Sequence, residues 1–224
     1  MAATRFYLPS TGAAAVNPAF GAWDDLTNGS PDRIACVTTR ISSAMTNKGI
    51  TEPTGSNQNM IQRQYVSAAI PAQTITGTVK GSIKCFTDDL AGDYRSQVLI
   101  RVVSNDGTTF RTPNLIDFDN SAITNEWNLT TAQTRSFPKG TPPITFNVNS
   151  VVASANDRIV IEIGNRHGTG QNGFGTIVFG DNAAADLAEN ETDTSTNNPW
   201  MEFSQDLFAG GGGAARRLLL LGVK

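Results

Sequence analysis

Histidine and cysteine are almost missing from this chain of 224 residues, which has one of the former, His167, and two of the latter, Cys36 and Cys85. A structural zinc site draws closely spaced Cys and His ligands, so one His and two distant Cys leave none to form. Two cysteines are too few for a disulfide framework. Both fall in strand-like runs, where a thiol behaves as a small buried apolar group. A triad built on His167 would need a positioned nucleophile and an orienting carboxylate, and no G-x-S-x-G elbow occurs. The residue is therefore expected in an exposed loop beside Arg166, without a catalytic role. Charge is scarce as well. Asp, Glu, Lys and Arg make up 17% of the chain, against about 25% in ordinary globular domains. The 17 basic residues nearly balance the 20 acidic ones, so there is no basic surplus to hold nucleic acid. No apolar run approaches the about 20 residues that cross a bilayer as a helix. The opening MAATRFYLPSTGAAA lacks the apolar stretch of a secretory signal. Helical periodicity is confined to DNAAADLAE, 181–189, where Asp181 or Asn182 would cap a turn or two. No repeat of propeller or solenoid length is visible.

What the sequence has in quantity is two-residue alternation. In QTITGTVKGSIKCF, 73–86, Ile75, Gly77, Val79, Gly81, Ile83 and Cys85 share one face, and Thr, Ser and Lys share the other. This predicts one long half-buried antiparallel strand, its glycines marking a close backbone approach or a bulge. Similar logic marks 33–39, 61–67, 96–104, 144–148, 157–163, 174–180 and 199–208, or about eight strands separated by Gly, Pro, Asn and Asp clusters. In 157–163, Ile159, Ile161 and Ile163 oppose Arg158, Val160 and Glu162. Asn105-Asp106-Gly107 reads as a tight turn, because Asp-Gly supplies positive φ. The expected fold is all-β: an antiparallel two-sheet β-sandwich, jelly-roll-like, with extended arms. Residues 1–22 form the N-terminal arm, 23–208 the sandwich and 209–224 a Gly-tethered second arm. The long Thr/Asn/Pro-rich loop 105–143 is a candidate contact surface.

The remaining motifs are weak. GTGQNG, 168–173, matches G-x-G-x-x-G, but the run after it, FGTIVFG, is a strand and not the helix a pyrophosphate needs. It reads as a hairpin loop. Asp181, Asp186, Glu189, Glu191 and Asp193 cluster without EF-hand spacing, and are expected to be a solvated acidic loop. No carboxylate pair is singled out for acid–base work, and the chain is expected not to be an enzyme and to need no cofactor or metal. Of the tryptophans, Trp200 alternates with core positions, whereas Trp127, in NEWNL, is the candidate for a contact surface.

TRFYLPSTGAAAVNPAF near the start, VVSNDGTTFR in the middle and FGDNAAADLAENETDTSTNNPWMEFS late in the chain resemble a group of tailed-bacteriophage virion structural proteins. The resemblance spans most of residues 4–206 and implies a β-sandwich building block of a phage particle. On it rests the expected function, a head decoration or cement protein located in the virion and assembled in the host cytoplasm. Its partners would be other virion proteins (major capsid or neck and tail proteins) and copies of itself, a trimer being favoured, with neither nucleic acid nor membrane. The alternative is a carbohydrate-binding or host-adhesion module of a tail or fibre, which needs exposed aromatics. AGGGGAARRLLLLGVK, 209–224, supplies the candidate partner-binding residues. Gly210–Gly213 give reach with little order, Arg216 and Arg217 keep the tip soluble, and Leu218, Leu219, Leu220 and Leu221 need an apolar place to go, expected on a neighbouring subunit.

Overall fold

The computed structural model describes residues 3–26, 31–51, 57–118, 125–127, 131–138, 145–168, 173–181 and 185–209. Over these residues the protein is all-β. The strands are β1 (Thr4–Tyr7), β2 (Asp32–Ala35), β3 (Ser43–Thr51), β4 (Asn59–Val66), β5 (Gln73–Ile75), β6 (Thr78–Thr87), β7 (Arg95–Val103), β8 (Gln133–Phe137), β9 (Phe146–Asn147), β10 (Val151–Ala153), β11 (Arg158–Arg166), β12 (Phe174–Asp181) and β13 (Trp200–Phe203). A 3-10 turn, Leu90–Gly92, precedes β7.

β6 is the hub of the larger sheet. Along one edge it pairs with β9 and then β8, and along the other with β13 and then β12. β1 lies beyond β13 and β3 beyond β12, giving the order β1-β13-β6-β12-β3. The smaller sheet runs β2-β4-β11-β7 and is antiparallel except for the parallel β2–β4 pair. β5 and β10 form a short separate ladder. The alternation read from the sequence sends Val98, Ile100 and Val102 of β7 and Ile159, Ile161 and Ile163 of β11 into one apolar cluster. Val79 and Ile83 of β6, Ile177 and Phe179 of β12, and Met201 and Phe203 of β13 join it from the larger sheet. This is the expected two-sheet sandwich. Gln62 crosses between the layers: its amide donates to Asn165 Oδ1 (2.8 Å) and the Gly175 carbonyl (3.1 Å) and accepts the Ile177 N–H (3.1 Å).

Several expectations need correction. The run 73–86 is two strands, not one. Gly77 turns the backbone at φ +93°, so Ile75 pairs with Val151 in the short ladder while Val79 onward belongs to the hub. The inward face is nonetheless as read, since Ile75, Val79, Ile83 and Cys85 are all buried. Gly81 marks a close backbone approach: a Cβ there would meet Met201 Sδ at 2.3 Å and the Trp200 carbonyl at 2.7 Å. Residues 4–7, assigned to an arm, are a strand whose Thr4–Tyr7 pair with Phe203–Trp200, and Phe6 and Leu8 are core residues. The Leu207 N–H donates to Thr4 Oγ1 at 2.7 Å, so the first strand and the chain leaving the last one are side by side. Much of the loop 105–143 is also structural. Gly107 has φ +80° and donates to the Ser104 carbonyl, as the Asp-Gly signal predicts. Phe110 and Ile116 then bridge back to Val103 and Ile100 on the outer edge of β7. The described part of 181–189 contains no helix.

Two substitutions test this packing. Val79→Asp places an unpaired charge in the core and is expected to cost about 4 kcal/mol or more, seen as a collapse of the urea midpoint. Gly81→Ala must displace Met201 or the β13 backbone and is expected to cost about 1–3 kcal/mol. A wild-type midpoint for either would show that the hub is packed differently.

Candidate functional site

A two-sheet sandwich leaves two outer faces, and here the chain covers both with its own segments. On the smaller sheet, Glu162 of β11 points away from the main core and is fully buried. Its Oε2 accepts from Trp23 Nε1 (2.6 Å) and the Gly21 N–H (3.0 Å). Its Oε1 accepts from Gln64 Nε2 (2.9 Å) and from the Arg101 guanidinium. Arg101 also donates to the Ala19 carbonyl (2.8 Å) and lies 3.8 Å from the centroid of the Phe110 ring. Arg33 donates to the Pro18 carbonyl (3.2 Å) and stacks over Phe20. Trp23, Ile61 and Leu99 form a second apolar cluster here, flanked by Phe20 and Phe118. Residues 18–22, assigned to an arm, thus form with Trp23 a strap bound to the chain's own sheet.

The larger sheet is covered by residues 185–198. Its outer polar face presents Lys80, Ser82 and Lys84, and each is taken up. Lys80 pairs with Glu189 (2.6 Å), Ser82 Oγ donates to the Ala188 carbonyl (3.1 Å), and Lys84 Nζ donates to the carbonyls of Thr194 (2.8 Å) and Ser195. Arg5 pairs with Asp186 and Glu202 while its guanidinium lies 3.9 Å from the Trp200 ring centroid. Arg135 donates to the Glu191 carbonyl (3.0 Å), and the Ser136 N–H donates to the Glu191 carboxylate (3.0 Å). Burial holds the Lys84 ammonium below its ordinary range, with the Asp193 charge opposing. Burial also pushes the Asp193 carboxyl up, but hydrogen bonds from Ser195 and Ala188 and the Lys84 charge outweigh it and hold the group low. The acidic run is therefore not a solvated loop but the charged half of a strap. Among the described residues no three His, Cys, Asp or Glu side chains are placed to hold a metal ion together.

One opening is a groove of about 480 Å³ at the corner where the two sheets meet, lined by Phe6, Cys36, Val37, Thr38, Thr39, Ile41, Ala68 and Phe208. The chain after β2 makes this corner. The Cys36 N–H bonds to the Val66 carbonyl, and Val37 exchanges both backbone bonds with Tyr7 (2.7 and 3.4 Å), joining the edge of one sheet to β1 of the other. From Thr38 the chain leaves this contact and opens the groove. Phe208 forms one wall, edge-on to Phe6 with ring centroids 6.0 Å apart. Ile41 is 41% exposed. Burial drives the Cys36 thiol far above its ordinary range, so its wall is apolar in character. A smaller cavity of about 230 Å³ lies between Thr76, Gly77, Ser204 and Gln205.

Trp127, the candidate contact residue, is fully buried. It stacks on Tyr94 at 5.9 Å, and its Nε1 donates to Ser96 Oγ at 3.0 Å. Trp23 and Trp200 are buried as well, so no tryptophan offers the exposed ring a glycan-stacking surface requires. His167, expected exposed, is also fully buried, with its ring 6.4 Å from that of Tyr94. It continues the inward series Ile159, Ile161, Ile163, Asn165 at the same spacing, a signal that carrying the alternation two steps further would have caught. Arg216, Arg217, Leu218, Leu219, Leu220 and Leu221 lie outside the described residues. Glu162 and the groove residues were not singled out from the sequence.

No family model and no curated protein matches the chain. Among solved structures it is similar to a CocE/NonD family hydrolase from Staphylococcus aureus, with 8% identity over 90% of this chain and 36% of that one, at a TM-score of 0.48. It is also similar to a structure of infectious bursal disease virus, Gt strain, with 14% identity over 84% of this chain and 41% of that one and a TM-score of 0.24. A VP2 subviral particle of the same virus matches at 12% identity over the same shares, with a TM-score of 0.22. The chain spans less than half the length of each of these. The expectation that it is not an enzyme is corrected by the hydrolase match and is withdrawn. At such identities and scores the matches assign no activity to this chain.

The strap on the smaller sheet gives a direct test. Glu162→Gln strands the Arg101 charge in a dry site and is expected to cost about 3–5 kcal/mol, read from urea unfolding. Adding Arg101→Met removes that charge, so the double variant is expected to be more stable than Glu162→Gln alone. A single variant of wild-type stability would show that the pair does not hold the strap.

Proposed function

We propose that this chain is a structural component of a bacteriophage virion, and more specifically a head decoration or cement protein acting through subunit contacts. The observation that carries the reading is the pair of straps, which fasten both outer sides of the sandwich through buried and partly buried charged contacts. The sequence resemblance supports the same reading in a specific way. TRFYLPSTGAAAVNPAF covers β1 and leads into the first strap. FGDNAAADLAENETDTSTNNPWMEFS covers the second strap and β13, and VVSNDGTTFR covers the end of β7 and its turn. The stretches that resemble virion proteins thus include the parts that fasten the sandwich. A sandwich locked by ion pairs suits a protein with a mechanical task. The partners are other virion proteins, the major capsid protein first, and copies of the chain in a closed symmetric ring, with a trimer as the expected oligomer. The location is the virion, after assembly in the host cytoplasm.

The test compares particles assembled with and without this chain. Mass spectrometry is expected to find it in stoichiometric amount, and heating is expected to release DNA at lower temperature from particles that lack it. Absence from purified particles overturns the virion role; equal release temperatures with the chain present overturn the cement role.

A further inference from the structure

The groove and residues 210–224 meet at one point on the chain. Phe208, a wall of the groove, is two residues before Gly210, and Ala209 is the last described residue. Beyond it the chain runs through four glycines, two alanines and two arginines to Leu218–Leu221. We propose that Leu218–Leu221 plug this groove in their own chain, over the wall formed by Phe6, Val37, Ile41 and Phe208. The idea goes beyond the virion reading and does not depend on it.

Three considerations select this occupant. The first is chemistry: the walls are apolar and Ile41 stands 41% exposed, while Leu218–Leu221 are the longest aliphatic run in the sequence. A space of 480 Å³ falls within the range of about 300–1,000 Å³ typical of occupied pockets. The second is reach. Nine residue steps separate Ala209 from Leu218, and a Gly-rich chain of that length has a root-mean-square span of about 17 Å. That is long enough to turn back from the rim and short enough to keep the leucines close. The third is concentration. A segment tethered this closely meets its own groove at an effective concentration in the millimolar range, which a second copy matches only in a crowded assembly. Arg216 and Arg217 fall on the tether side of the leucines, where their charges stay in water at the mouth. Both arginines and all four leucines then have assigned places, and the apolar recess is covered.

Amide hydrogen exchange followed by mass spectrometry on the full chain tests this at high and low protein concentration. Exchange is expected to be slowed several-fold over 218–221 relative to an unstructured peptide, and slowed equally at both concentrations. Replacing the leucines (Leu218→Ser through Leu221→Ser) is expected to speed exchange in residues 36–41. Conversely, Ile41→Asp, at a half-exposed position, is expected to speed it in 218–221 while the hub strand β6 keeps its protection. Unprotected leucines in the wild-type chain overturn the proposal. So does protection that disappears on dilution, which would make a second copy the occupant, and so does protection that survives Ile41→Asp, which would seat the leucines elsewhere. None of these outcomes bears on whether the chain enters particles, so this proposal and the virion role fail separately.

Discussion

A carboxylate without access to water must be surrounded by donors, and in this protein that requirement at Glu162 organises one whole side of the fold. Four groups converge on it: an indole N–H, a backbone N–H, an amide and a guanidinium. Two of them, from Trp23 and Gly21, belong to a segment that would otherwise have no reason to lie on the sheet. A buried ion pair is weak evidence for stability, because desolvation offsets much of the attraction. Its usefulness here is positional. An apolar face would accept many overlying segments, whereas a charged group with directed hydrogen bonds accepts one register. The larger sheet is fastened on a related principle, with Lys80, Lys84 and Arg135 each tied to a definite partner in residues 185–198. The Lys80–Glu189 pair is partly exposed and weaker for it, whereas Lys84 and Arg135 are buried and give their hydrogen bonds to backbone carbonyls of the strap.

The parts of this architecture that were legible in the sequence are those whose cause is local. β6, β7 and β11 declare themselves because every second residue is apolar and the core takes that face. β3, SAMTNKGIT, is an edge strand whose residues show no such alternation, and β1 is too short to show any period. The straps were hidden for a different reason. Gly21 and Glu162 are 141 residues apart and Lys80 and Glu189 are 109 apart, so no local window contains both halves of the interaction. Read in isolation, an acidic run looks solvated and a Pro/Gly-punctuated lead-in looks like an arm. Trp127 misled in the same way: its neighbours Asn, Glu and Asn suggest a surface, yet its ring fills the space beside Tyr94. The groove was beyond reach of sequence reasoning, since its walls come from four separate stretches of chain and meet only because Val37 pairs with Tyr7.

Placing function on this fold is a matter of what the straps leave uncovered. They lie over both sheets and are bound there by residues of the same chain, which leaves edges and turns outside them. A subunit that meets its neighbours edge to edge can keep its core contacts unchanged whatever the partner, which separates the requirements of folding from those of assembly.

The pairing of β1 with β13 has a mechanical side. Because the strands are antiparallel and Thr4 lies beside Leu207, the chain enters and leaves the sandwich at the same place. A force applied through the flanking residues would not shear the ladder with all its bonds loaded together. It would open the pairs Thr4–Phe203, Arg5–Glu202, Phe6–Met201 and Tyr7–Trp200 in turn, like a zip drawn from its end. Residues 3–209 would resist such a pull least at that corner, and a plug seated beside Phe6 and Phe208 would sit where the first tooth gives way.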